Sequence, residues 1–264
     1  MGQDNAVKLL IVLPVKSEKS GAHYPIRWEV CQNTWLKDSP CDFRGFTDAE
    51  LGLTEIDQHN NAVDPIRTHR TQLMVRWALE HGYDYMFRTD TDTYVWVNRL
   101  LACGFEQHDY MGWSVGYPRH LEKTWAMNTA HGGVGFFLSR RSMEIVANAP
   151  VEKYLDGKYW GDLWAGHQLW KHGIYCHRDT RFLDGSSGDH AQHNGNISAD
   201  ELPLNHPYIA LHPVPAANMP AIHEKFKGIG AETAAPELQM WGKHVHYNYG
   251  TKRPDICVCR YCHA

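Results

Sequence analysis

At residues 83–97 the sequence YDYMFRTDTDTYVWV drives an apolar strand straight into two carboxylates, Asp90 and Asp92. Tyr85, Met86 and Phe87 favour a buried strand, and Tyr94, Val95 and Val97 are strand formers again. Desolvation and like-charge repulsion both oppose two carboxylates held two residues apart in such a place. The usual resolution is a divalent cation. A fold that accepts this segment must bury the strand and open its carboxyl end to a polar ligand.

The surrounding chain alternates strands with helices. AVKLLIVLPV (6–15) predicts a buried first strand, ended by Pro14, and PIRWEVCQNTWL (25–36) a short helix. A short strand is expected in CDFRGFTD (41–48). The clearest helix is DPIRTHRTQLMVRWALEHG (64–82), with Asp64 to cap it, Pro65 at its first position and Gly82 at its end. Its apolar face is read as Ile66, Leu73, Met74, Trp77 and Ala78. The basic residues Arg67, His69, Arg70 and Arg76 are spread by helical spacing and read as a solvated face. HDYMGWSVG (108–116) predicts a strand, and GGVGFFLSRRSMEIVANA (132–149) a glycine turn, a strand and a helix. This order predicts an α/β fold with a mostly parallel central sheet. Ligands of such sheets bind beyond the carboxyl ends of the strands, where Asp90 and Asp92 stand. One domain is expected over residues 1–230, with 231–264 an irregular His- and Cys-rich extension packed on it.

Composition excludes several functions. With 43% apolar and 21% charged residues the chain is globular, and a net charge of −4 advertises neither nucleic acid nor an anionic membrane as partner. The first apolar run is too short for a membrane span and lacks a small-residue cleavage site. A cytoplasmic protein is therefore expected, and the compactness of the chain suggests a microbial or viral source. Seven cysteines, an odd number in a chain without an export signal, favour reduced thiols. In the tail, CVCRYCH offers Cys257, Cys259, Cys262 and His263, with His244 and His246 upstream, as candidate ligands of a structural Zn²⁺.

Two chemistries explain an aspartate pair after a strand. The pair can hold Mn²⁺ or Mg²⁺, which grips the diphosphate of a nucleotide-sugar and neutralises the leaving group. Alternatively, DTDTYV fits the D-x-D-x-T pattern of haloacid-dehalogenase-type phosphohydrolases, with Asp90 as nucleophile and Asp92 as acid/base. Without either, Asp90 and Thr91 would merely cap a turn. The phosphohydrolase pattern wants its aspartates after the first strand, followed by a lysine and a second acidic pair. Here they follow two helices and two strands, and WGDLWAGHQL offers Asp162 alone.

Further segments carry a resemblance. YDYMFRTDTDTYVWVNRL resembles the D-x-D segment of Fringe-type β-1,3-glycosyltransferases, the family that includes the β-1,3-galactosyltransferases. In the same order, RWEVCQNTWL resembles their early R-x-x-x-x-x-TW element and HGGVGFFLSRRSMEIV their G-G-A-G-Y-x-L-S motif. WGDLWAGHQLWKHGI resembles their E-D-V-x-x-G segment, and IALHPVPAANMPAIH their late histidine segment. The matches span roughly residues 7–227.

This resemblance implies a GT-A, Rossmann-like fold and an inverting, metal-dependent hexosyl transfer from a UDP-sugar. It implies Asp92 and His212 as metal ligands, and Asp90 acting through the ribose or the ion's water shell. Asp162 is implied as the general base, although Gly161 stands where the family has Glu. Gly132, Gly133 and Gly135 would let backbone approach the donor sugar, and Arg27 and Arg88 would contact the diphosphate or base. Trp113 and Trp160 are candidates for stacking on sugar rings. The acceptor stays open among a glycan, a protein hydroxyl and a hydroxymethylated DNA base. A sugar-binding protein that kept the fold and lost turnover is the third class.

Overall fold

The computed structural model describes residues 7–15, 23–47, 49–51, 66–115, 129–151, 161–185 and 197–229. Asp64, Pro65, Trp160 and the whole 231–264 extension, with its candidate zinc ligands, lie outside them. The first strand, β1 (Leu9–Val15), is buried along its whole length. It is followed by α1 (His23–Asn33), β2 (Asp42–Thr47), α2 (Ile66–Glu80), β3 (Tyr85–Arg88), β4 (Tyr94–Val95) and α3 (Val97–Leu101). Next come β5 (Tyr110–Gly112), β6 (Ser114–Val115), β7 (Thr129–Ala130), β8 (Phe136–Ser139), α4 (Arg140–Asn148) and α5 (Gly161–Lys171). The described chain closes with β9 (His177–Arg178), β10 (Phe182–Asp184), β11 (Ala210–His212) and α6 (Met219–Phe226).

Six strands form the central sheet in the order β2-β1-β3-β8-β5-β9. Pairings β1–β2, β1–β3 and β5–β9 are parallel, while β8 runs antiparallel to β3 and β5. The sheet is thus mostly parallel, with β8 reversed. Period-two alternation splits its side chains between two cores. Leu10, Val12 and Met86 face Met74, Val75, Ala78, Met143, Val146, Trp164 and Leu169 of α2, α4 and α5. Leu9, Ile11, Leu13 and Phe87 face the other way, onto Phe182, Leu211, Met219 and Phe226. That second face is covered by a small sheet, β10-β11-β4, and by α6. Strands buried on both faces explain the unbroken apolar run LLIVLPV. Among the described residues no helix is long and apolar enough to cross a membrane.

Two expectations change. The 108–116 strand divides at Trp113, because its carbonyl turns to accept the His131 amide at 2.8 Å and β6 then pairs with β7 in a separate two-stranded sheet. The buried side of α2 includes Arg70 and Gln72, while Leu73 and Trp77 are only half-buried. Gln72 is inside because its amide donates to the carbonyls of Val146, Ala147 and Ala149, the open end of α4. Arg76 donates to the same Ala147 carbonyl at 2.9 Å. The basic residues of α2 are therefore partly structural rather than a solvated face.

Candidate functional site

The site begins where β3 stops. Thr89 continues toward β1 by donating its amide to the Val12 carbonyl at 3.1 Å, and Asp90 to Thr93 then close a turn, Thr93 N to Asp90 O at 3.2 Å. Asp92 occupies the turn. Its own carbonyl accepts the Val214 amide at 2.7 Å, which ties the turn to the end of β11. The same junction brings in His212, the last residue of β11. One oxygen of Asp90, one of Asp92 and one ring nitrogen of His212 lie within 4.8 Å of one another. Residues more than a hundred positions apart thus converge on a single point.

A glycine turn forms the floor. The Gly133 carbonyl accepts from Thr89 Oγ1 at 3.0 Å, Thr93 Oγ1 at 2.7 Å and Asp90 N at 3.2 Å. The alternating threonines of TDTDT are all buried, and two of them stitch the carboxylate turn to this carbonyl. A Cβ on Gly133 would sit 2.6 Å from His212 Nε2 and 2.9 Å from His131 Cε1. On Gly132 it would sit 2.7 Å from Arg88 Nη1 and 3.0 Å from Asp162 Oδ2. Side chains press on both glycines from the site. Gly135 differs: its φ of +118° and the Phe87 ring at the place of its Cβ make it the residue that turns the chain into β8.

Charge is paired throughout. Arg27 of α1 meets Asp92 at 2.9 Å, and Arg88 meets Asp90 at 2.8 Å. His212 Nε2 stands 3.5 Å from Asp92, and its Nδ1 3.7 Å from Asp184. Burial opposes the charge on Asp92, yet His212 and then Arg27 hold its carboxyl at about 2. Burial likewise opposes an imidazolium at His212, but Asp184, Asp92 and Asp90 overrule it and raise the ring to about 9. The carboxylates draw positive charge to this point, supplied by Arg27, Arg88 and the His212 ring. Asp162, in the first turn of α5, accepts from Gly132 N and Leu163 N, each at 2.9 Å through a different oxygen.

The donor set fits a divalent cation. Two carboxylate oxygens with one imidazole nitrogen suit Mn²⁺, and the carboxylates suit Mg²⁺. His212 Nδ1 and Arg88 Nη1 are both buried without a hydrogen-bond partner among the described residues. A buried guanidinium nitrogen left open beside the cluster fits a site that receives an anionic ligand.

The structure therefore brings together Arg27, Arg88, Asp90, Asp92, Gly132, Gly133, Asp162 and His212. Trp113 adjoins them through its bond to His131, with the Arg178 guanidinium 4.9 Å from its ring centroid. Sequence reasoning missed Asp184, His131 and the two stitching threonines. His131 is held neutral by burial, and its ring centroid lies 5.3 Å from that of His212. Its position directly before the glycine pair was the one available signal.

No protein-family model matches the chain, and no curated protein matches it in sequence. Among solved structures, A197 from STIV is similar with a TM-score of 0.35 and 12% identity, over 64% of this chain and 80% of that one. A glycosyltransferase involved in the glycosylation of the major capsid of PBCV-1 is similar with a TM-score of 0.37 and 11% identity, over 65% of this chain and 82% of that one. Overlaps of this size leave the chemistry to be read from the residues of the site.

Proposed function

We propose that this chain is a metal-dependent, inverting glycosyltransferase of GT-A architecture. It would move a hexose from a UDP-sugar to an acceptor hydroxyl. The observation that carries the reading is the convergence of Asp90, Asp92 and His212 within 4.8 Å at the carboxyl end of a central strand. The third group is a late histidine and not the second acidic pair that the aspartyl-phosphate pattern wants, which favours a metal-bridged donor.

When bound, Mn²⁺ or Mg²⁺ neutralises charge developing on the leaving diphosphate. Asp92 and His212 would hold it, with Asp90 acting through the ribose or the ion's water shell. Arg88 has a guanidinium nitrogen left over after its pairing with Asp90, so it can receive a phosphate oxygen. Arg27 pairs with Asp92 and would also face the diphosphate. Gly132 and Gly133 keep the floor free of side chains. Asp162 would take the proton of the attacking hydroxyl. Two backbone amides fix its carboxylate, and each oxygen keeps a further lone pair for that proton.

The test is a donor screen that follows release of nucleoside diphosphate, with and without Mn²⁺. Metal-dependent release stimulated by an acceptor supports transfer, and the product should carry an inverted linkage. Covalent phosphate on Asp90 would establish the phosphohydrolase instead. Metal-dependent donor binding without turnover would leave a sugar-binding protein.

A further inference from the structure

The pairing of β10 with β11 sets Asp184 directly opposite His212 in parallel register. Neighbouring positions in register project from the same face of a sheet, so the carboxylate and the imidazole emerge together. The Asp184 oxygen stands 3.7 Å from His212 Nδ1, while Nε2 is turned to Asp92 at 3.5 Å. The ring thus has one nitrogen toward the metal cluster and the other toward a buried carboxylate. Nδ1 is shielded from solvent and meets no hydrogen-bond partner within bonding distance among the described residues. A modest closing movement of the ring would bring it to Asp184. Asp184 itself is buried, only 4% exposed.

We infer that Asp184 is a positioning residue for the metal, acting through His212 and resting on the metal-dependent reading above. An imidazole ligates through a nitrogen that carries no proton, so ligation by Nε2 places the proton on Nδ1. A carboxylate beside Nδ1 stabilises that tautomer, fixes the ring plane and makes Nε2 a stronger donor. Gly133 completes the arrangement from the opposite side, since any Cβ there would displace the ring at Nε2. Asp184 stands outside the group formed by Asp90, Asp92 and His212, so it would act on the cation only through the ring. Its sequence context, FLDG, carries no motif, and only the register of two short strands gives it a partner.

The experiment titrates the full chain with Mn²⁺ alone and reads free Mn²⁺ by electron paramagnetic resonance. Pulsed measurements on the same samples detect ¹⁴N coupling from a ligating imidazole. Wild type should bind with clear ¹⁴N coupling, and His212→Gln should lose that coupling. Asp184→Asn keeps the shape but not the charge, and should bind Mn²⁺ about 10–100-fold more weakly with reduced coupling. An Asp184→Asn protein with wild-type affinity and coupling overturns the inference and leaves the metal site standing. Wild type without Mn²⁺ binding overturns both. Should Asp184→Asn fail to fold, histidine ¹⁵N resonances of the wild-type chain loaded with diamagnetic Zn²⁺, which imidazole ligates, decide the matter. His212 must then show a protonated Nδ1 with a downfield, slowly exchanging proton, and a protonated Nε2 overturns the inference.

Discussion

His206 and His212 lie six residues apart, the first before β11 and the second at its end, and both are largely removed from water. Burial pushes both rings toward the neutral form. Their neighbours send them in opposite directions. Around His206 the charges are Arg99 and Lys225, and after burial these hold the ring down at about 3. His206 Nδ1 accepts from Arg99 Nη1 and from Tyr208 N, both at 3.1 Å, so it serves as a neutral acceptor. Trp96, Tyr208 and Phe226 surround the ring, with centroids 4.4, 5.1 and 4.7 Å away. Around His212 the charges are carboxylates, and the ring rises to about 9. The first histidine ties a buried arginine into the core, whereas the second stands among carboxylates. Burial alone distinguishes nothing here; the sign of the surrounding charge does.

The largest effect that could break this contrast comes from Asp92→Ala. The Asp92 backbone carbonyl still accepts from Val214, so the turn should persist and the protein should fold. Transfer should fall by about 10³-fold or more, since the cation's charge stabilisation is worth several kcal/mol. A variant with near-native turnover in the presence of chelator would remove the cation from the His212 side of the comparison. Next comes Asp162→Asn, which cannot take a proton and should lose about 10²–10⁴-fold in turnover. Donor binding should change little. Asn can serve only one of the two amides, Gly132 N and Leu163 N, through its single oxygen, so a small loss of stability is expected as well. Ordinary turnover in Asp162→Asn sinks the base assignment.

Gly133→Ala is a finer probe. Its Cβ would meet His212 Nε2 at 2.6 Å and His131 at 2.9 Å. Overpacking by one methyl typically costs about 1–3 kcal/mol, so Mn²⁺ affinity should drop about tenfold or more. Gly135→Ala, two residues on, should instead cost thermal stability. Its Cβ strikes Phe87 in the core, and φ is +118°. Equal effects of the two substitutions on Mn²⁺ binding would show that the glycine turn, and not His212, governs the site.

Much of this was legible in the chain itself. An apolar run, a helix ended by Gly82 and an aspartate pair after YMFR follow from periodicity and local chemistry, which neighbouring residues carry. His212 was placed by resemblance alone, because nothing in LHPV distinguishes it from the other histidines. Asp184 could not be read at all. Its significance comes from the Asp184↔His212 register, a property of two three-residue strands brought together across the fold. His206 was invisible for the same reason, since its character depends on Arg99, 107 positions away. The solvated reading of Arg70 failed because helical spacing shows which residues share a face but not what covers it.

The smallest expected effect also tests the contrast most directly, through the stability of the metal-free protein against pH. His206 has a folded value near 3, below its ordinary 6.5, so the unfolded chain binds the extra proton between these values. Stability from this group is complete above about pH 6.5 and is lost as pH falls toward 3. His212 has a folded value near 9, above the ordinary 6.5, so the folded chain binds the extra proton. Its contribution is complete below about pH 6.5 and is lost as pH rises through 9. One proton changes stability by at most about 1.4 kcal/mol per pH unit, or roughly 3–5 °C in Tm for a chain of this size. In chelator, wild type should therefore lose Tm on both sides of neutrality. His206→Asn, whose amide oxygen falls where Nδ1 accepted from Arg99 and Tyr208, should flatten the acid side between about pH 6.5 and 4.5, above the range where Asp92 titrates. His212→Gln should flatten the alkaline side and leave the acid side above about pH 4.5 as in wild type. Melting curves in which the two variants run parallel to wild type on both sides would mean that the two rings do not differ in charge.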